Sequence, residues 1–107
     1  MTDSADKTEH HGVGHRARLR KRLLEKNGDS LHDHELIEYL LALAIPRRDT
    51  KQIAKVLIHR YGSLAGLLTA DADGILQEKW MGETSVAALK IVQVAALRLL
   101  SEPVREL

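Results

Sequence analysis

The segment that most limits the fold of this 107-residue chain is ILQEKWMGETSVAAL, at residues 75–89. A short apolar stretch leads into a turn that contains Gly82, and a long run of helix-favouring residues follows. Leucine and alanine dominate the chain and runs of β-branched residues are absent, which favours helices over sheets. The sequence therefore predicts an all-α fold in which this turn joins two helices.

Apolar periodicity and helix-capping residues divide the chain into six predicted short helices. They span residues 14–26, 33–44, 50–61, 64–68, 72–78 and 83–102. Asp49 is expected to cap the third helix and Gly62 to end it. The last helix is apolar on nearly every side, so we expect it to be the most buried element, with Leu89 or Ile91 fully buried.

The predicted domain organisation places one helical domain at residues 14–102. Residues 1–13 are polar and poor in apolar side chains, which predicts a disordered tail, and residues 103–107 are expected to begin a linker. The sequence has no cysteine, no basic segment followed by an apolar run at its start, and no stretch of about 18 apolar residues. We therefore expect a cytoplasmic protein without a membrane span.

The predicted helices repeat a pattern. The second and third helices, joined at residues 45–48, resemble the fifth and sixth helices, joined at residues 80–82, and the fourth helix connects the two pairs. This order is typical of a double helix-hairpin-helix domain, in which the first backbone N–H groups of a helix bind a phosphate. The turn of this motif commonly contains glycines, and both turns depart from that form. Pro46 lies in the first turn, and Trp80 stands in the second turn where the first glycine is common.

Trp80 allows two interpretations. Burial of an indole ring contributes on the order of 2–3 kcal/mol, so we expect the ring to pack over the hairpin as a core residue. The alternative is an exposed ring that stacks on an unpaired base.

The first predicted helix is strongly basic, although the formal net charge of the chain is only +1. Its basic residues are Arg16, Arg18, Arg20, Lys21, Arg22 and Lys26. One interpretation is a solvated helix that Leu19 and Leu23 dock on the core. The other is an arm that contacts phosphates, since a local basic cluster is expected of a protein that binds the nucleic-acid backbone. The sequence favours neither over the other.

The sequence offers no complete catalytic or cofactor-binding motif. His32 and His34 match a His-x-His pair, as found in some zinc sites. The segment that starts at His34 also resembles the helical zinc motif His-Glu-x-x-His, but Glu38 stands in place of its second histidine and no third ligand is evident. The pair His10 and His11 lies in the predicted tail. Phosphate-binding glycine loops and the serine elbow are absent from the sequence. We expect no enzymatic activity, no metal and no cofactor.

Four blocks of sequence, together with the hairpin, resemble the N-terminal region of the RadC family. The blocks are GHRARLR at 14–20, DHELIEYLL at 33–41, AIPRRD at 44–49 and RYGSL at 60–64, and the resemblance covers about residues 14–102. It implies a helical region that precedes a metal-dependent domain of the JAB/MPN type, and the family name implies DNA repair. The zinc signature of that second domain, His-x-His…Ser-x-x-Asp, is absent here. Either the chain has been cut from a longer protein or the natural protein is short.

We therefore expect a non-enzymatic module that binds the DNA backbone without sequence preference. The candidate contacts are Arg16, Arg18, Arg20, Arg22, Arg47, Arg48, Lys79, Trp80, Met81, Gly82 and Thr84. The alternative is a protein-interaction or scaffolding module that positions a missing metalloenzyme domain. The low net charge, the two altered turns and Glu83 beside the expected phosphate site favour that alternative.

Overall fold

The structure, a computed structural model, describes residues 4–25 and 28–103, with side chains described from residue 14 onward. Those residues form six α-helices and no strand, which confirms the all-α prediction. The helices are α1 (Ser4–Leu24), α2 (Asp33–Ala44), α3 (Thr50–Tyr61), α4 (Leu64–Thr69), α5 (Ala72–Leu76) and α6 (Glu83–Ser101).

Helix boundaries follow the predicted caps closely, except at the start of the chain. Asp49 caps α3 by accepting a hydrogen bond from the N–H of Lys51, and Gly62 ends this helix in the left-handed conformation. Helix α1 begins at Ser4, so its backbone includes ten residues of the segment predicted as a disordered tail. That segment contains no proline, and nothing in its sequence terminates a helix that continues from residue 14.

The core lies where α2, α3 and α6 meet, closed by α4 and α5. Helix α2 packs against α1, α3 and α6, while α6 also contacts α4 and α5. The largest fully buried side chains of this core are aliphatic: Ile37, Leu41, Leu57, Leu67, Ile75 and Leu89. The two helix pairs, α2 with α3 and α5 with α6, therefore share one core, and their turns are held by the same packing.

Helix α1 is attached to α2 by side chains at helical spacing. Leu19 is fully buried, in agreement with the interpretation in which it docks the helix on the core, while His15 Nε2 lies 2.8 Å from Oε2 of the buried Glu38. One turn beyond Leu19, Arg22 contacts the carboxylate of Glu35. These residues fall at i, i+4 and i+7, so one face of α1 lies on α2.

The prediction that α6 is the most buried helix is wrong. Only its first half enters the core, through Ser85, Val86 and Leu89. Beyond that point Val92 is half-buried and the other large apolar side chains are exposed, namely Ile91, Val94, Leu97, Leu99 and Leu100. The composition of α6 makes it apolar on nearly every side, but the other five helices do not extend far enough along it to cover its second half.

Helix α6 also bears on the prediction that no membrane span is present. It is the one described helix that is long and apolar enough to cross a membrane, with a mean hydropathy of 1.4 over its most apolar window. Its first half, however, supplies core residues to the domain. Lys90 donates hydrogen bonds to the carbonyl oxygens of Leu68 and Ala70 at the end of α4, and a span would break these contacts.

Candidate nucleic-acid interface

The turn between α5 and α6 has a backbone conformation that normally requires glycine. Trp80 has φ = 72°, and it is the only non-glycine residue with positive φ in the described part of the chain. A side chain in this left-handed region costs about 1–2 kcal/mol. A glycine would adopt this conformation without that cost, so Trp80 occupies a position whose backbone favours glycine.

Trp80 lies at the surface rather than in the core. Its exposed fraction is 47%, so the prediction that its ring packs as a core residue is wrong. The guanidinium carbon of Arg48 lies 3.8 Å from the centroid of the ring, and the Lys79 ammonium lies 4.9 Å from it. Because Arg48 belongs to the turn between α2 and α3, this cation–π contact joins the two turns directly.

The turn between α2 and α3 is braced from α1. Arg16 donates one hydrogen bond to the carbonyl oxygen of Pro46, at 2.6 Å, and another to that of Arg48, at 2.5 Å. Arg47 and Arg48 themselves are exposed. The sequence prediction treated Arg16 as a direct phosphate contact, whereas its guanidinium holds in place the turn that carries two other candidate arginines.

The start of α6 is partly open to an anion. The N–H of Gly82 donates to Ser85 Oγ at 3.0 Å, but no described side chain caps the N–H groups that follow. These groups carry the positive end of the helix dipole, and the exposed Thr84 adds a hydroxyl. Glu83 is exposed beside them and opposes an anion by its charge. At α3, by contrast, Asp49 already caps the corresponding helix start.

Met81 contributes to packing, not to the surface. It is only 9% exposed and its side chain belongs to the core cluster, so of this predicted DNA contact only the backbone is left to face a ligand. Its burial fixes the turn from below, while the residues on either side of it face outward.

The arginines of α1 divide into two groups. Arg22 is bound internally, by two hydrogen bonds of 3.0 and 3.1 Å to the carboxylate of Glu35 and by further bonds to Ser30. Burial of Glu35 acts to raise its pKa. The hydrogen bonds from the Arg22 side chain and the His32 N–H, together with the positive charge of Arg22, outweigh burial and hold the pKa below its ordinary value. Arg18 and Arg20 are exposed and keep their charge at the surface.

A second set of contacts fixes the end of α5 to α3. Glu78 accepts a hydrogen bond from the hydroxyl of Tyr61 at 3.1 Å, and its other carboxylate oxygen lies 3.0 Å from Nε of Arg60. Burial, followed by this bond to Glu78, raises the pKa of Tyr61. The hairpin turn that begins after Glu78 is thus attached to the rest of the domain on its α5 side.

The histidines considered as metal ligands lie at the start of α2. The rings of His32 and His34 are stacked, with centroids 5.8 Å apart. Within residues 14–25 and 28–103, whose side chains are described, no group of three or more histidine, cysteine, aspartate or glutamate side chains is placed to hold a metal ion. The side chains of His10 and His11 lie outside the described residues.

Comparison with known proteins adds no further constraint. No protein-family model matches this chain, and no solved structure matches it. The features of this domain that bear on function are therefore its two turns and the basic and aromatic side chains that meet there.

Proposed function

We propose that this domain binds the DNA backbone through its two helix-connecting turns, without reading base sequence. The observation that carries the proposal is the convergence of positive charge from three separate elements. Arg16 of α1, Arg48 of the first turn and Lys79 of the second are linked through hydrogen bonds and through the Trp80 ring. A local concentration of charge of this kind compensates for a net charge of only +1.

The surface chemistry supports contact with phosphates rather than with base edges. Arg47, Arg48 and Lys79 are exposed, and the uncapped N–H groups at the start of α6 lie next to the second turn. Guanidinium, ammonium and helix N-terminal groups all bind phosphate oxygens. Among the helical residues whose side chains are described, none form a mixed row of amide and arginine side chains as expected for base readout in the major groove.

The resemblance to the N-terminal region of the RadC family supports the same proposal and extends it. If the chain is a relative of that family, its binding serves DNA repair in the cytoplasm, and chemistry belongs to a metal-dependent domain that this sequence does not contain. The module itself then acts without catalysis, by holding DNA.

The second candidate function is protein interaction, and the exposed second half of α6 favours it. Ile91, Val94, Leu97, Leu99 and Leu100 leave large apolar surface in contact with solvent. Contiguous exposed apolar surface is typical of protein-binding sites. Both functions are compatible in one molecule, because the turns and the second half of α6 are different surfaces.

The test is a fluorescence-anisotropy titration of a labelled DNA that contains both duplex and single-stranded segments, at several salt concentrations. We expect the logarithm of the binding constant to fall linearly with the logarithm of salt, by roughly 0.7–0.9 for each phosphate contacted. Replacing Arg47 and Lys79 together by alanine should reduce that slope by about 1–2. Glu83→Gln should strengthen binding modestly, because it removes the negative charge beside the phosphate site.

The matched control is Arg98→Ala. This substitution removes one exposed positive charge, half as many as the double variant, and it lies fifteen residues after Glu83 along α6, or about 22 Å at the helical rise of 1.5 Å per residue. The control should leave the slope unchanged. Absence of binding at low salt, or an equal effect of Arg98→Ala, would count against the DNA proposal and in favour of protein interaction.

A further inference from the structure

We infer that Trp80, flanked by Arg48 and Lys79, forms a platform on which an unpaired base stacks, so that the preferred ligand is single-stranded rather than continuous duplex DNA. This inference rests on the proposed function and narrows its substrate class. It begins from the one residue in the described chain that is at once aromatic, exposed and held in a backbone conformation unfavourable to its side chain.

The backbone conformation of Trp80 is unusual for a residue that has a side chain. A glycine at this position would satisfy φ = 72° without strain, yet the chain carries its single tryptophan there. Packing does not account for the choice, because almost half of the residue is exposed. Residues held in strained backbone conformations are concentrated at functional sites. The ring therefore has a use at the surface that outweighs its cost to the turn.

Two positively charged side chains lie close to the Trp80 ring. Arg48 lies over it at 3.8 Å and Lys79 at 4.9 Å, and both side chains belong to exposed turn residues. An aromatic ring bordered by cations matches the repeating unit of a single strand, in which each base is joined to charged phosphates. The guanidinium plane of Arg48 can itself extend a stack of rings.

The form of the DNA follows from what the ring can reach. In a duplex each base is paired and lies between its neighbours, so no base face is open to Trp80 unless a base is flipped out. In a single strand the base faces are accessible, and stacking on them is tolerant of sequence because every base has a π-face. The platform thus selects the state of the DNA without selecting its sequence.

The experiment compares two main ligands, with an abasic strand as a third, and it uses three variants. A labelled thymine homopolymer and a labelled duplex are each titrated with the wild-type protein, Trp80→Gly, Trp80→Phe and Leu100→Ala. Glycine removes the ring and suits the positive φ, so the turn is retained; phenylalanine keeps an aromatic ring. Leu100→Ala is the control, because it removes another exposed apolar side chain at the far end of α6. Circular dichroism verifies that each variant is folded.

We expect the wild-type protein to bind the homopolymer more tightly than the duplex. Trp80→Gly should weaken homopolymer binding by roughly 5- to 160-fold, the usual effect of removing one aromatic stacking partner, and should weaken duplex binding clearly less. Trp80→Phe should retain most of the affinity, and Leu100→Ala all of it. An abasic strand of the same length should bind the wild-type protein as weakly as the homopolymer binds Trp80→Gly.

Two results overturn the inference while leaving the proposed function intact. The first is equal binding of the homopolymer by the wild-type protein and Trp80→Gly. The second is an equal loss of affinity for homopolymer and duplex, which means that the ring acts by shaping the turn. If neither ligand binds the wild-type protein at low salt, the proposed function fails as well.

Discussion

Individual residues of α6 illustrate how burial, not residue type, sets the energetic weight of an apolar side chain. Leu89 is completely buried, whereas Ile91, two positions later, is 64% exposed. The prediction that at least one of the two is fully buried is confirmed by Leu89. The choice between them depends on the rotation of the helix relative to its neighbours, which composition does not determine.

Leu89→Ala should lower the free energy of unfolding by about 2–5 kcal/mol, because it leaves a cavity where α6 joins the core. Ile91→Ala should cost less than about 1 kcal/mol, since its side chain is already largely in water. Urea unfolding followed by circular dichroism measures both. Equal losses for the two variants would show that α6 is rotated from the orientation described.

Glu35 makes stability depend on pH. Arg22 and the backbone N–H of His32 lower the pKa of this carboxyl below 4.5 in the folded protein. The ionised Glu35 therefore stabilises the folded protein above pH 4.5, and this contribution is lost as pH falls through the lowered pKa. Glu35→Gln should therefore reduce stability at neutral pH and reduce the further loss on acidification. Thermal unfolding over a series of falling pH values tests this. If the variant loses stability on acidification as steeply as the wild-type protein, another carboxylate carries the dependence.

At the scale of elements, the two turns are tied to one another by side chains that the sequence pattern does not reveal. Helix boundaries could be predicted because caps and apolar spacing are local signals, as the match at α2 shows. The brace from Arg16 to the first turn spans 30 residues or more, and the contact between Arg48 and Trp80 spans the two hairpins. Such contacts depend on tertiary packing, so the candidate site was predicted as a set of residues but not as an arrangement.

The strain in the second turn can be measured by Trp80→Gly. Relief of the left-handed conformation should stabilise the protein by about 1–2 kcal/mol. Loss of the cation–π contacts should offset this by about 0.5–1 kcal/mol. We therefore expect a variant that is as stable as the wild-type protein or slightly more stable, as measured by urea unfolding. A loss above about 2 kcal/mol would indicate that the ring supports the core, on the scale of buried aromatic truncations.

At the scale of the whole molecule, the domain is more extended than its length requires. Its radius of gyration is 15.5 Å, against about 13 Å for a compact chain of 100 residues. The second half of α6 contributes to this shape, because the core of the domain ends near Leu89 and the helix continues to Ser101. The sequence predicted that this helix is the most buried element, because apolar composition gives no information on where the neighbouring helices end.

This shape predicts where substitutions are tolerated. Replacing Leu97, Leu99 and Leu100 by glutamine should change the free energy of unfolding by no more than about 0.5 kcal/mol each, as for other exposed positions. Leu67→Ala, in the buried core, is the comparison and should cost about 2–5 kcal/mol. Unfolding is measured at two protein concentrations. If the wild-type protein is much more stable than the leucine variants, and if this difference grows with protein concentration, a second molecule covers these leucines.

The position of the single tryptophan also decides which optical signal reports on this protein. Its indole already meets solvent in the native state, so unfolding changes its surroundings much less than it would for a buried ring. Tryptophan emission is therefore a poor probe of global unfolding here. It is instead a local reporter of the second turn, sensitive to Arg48 and to anything that comes to lie on the ring, and it needs no attached dye.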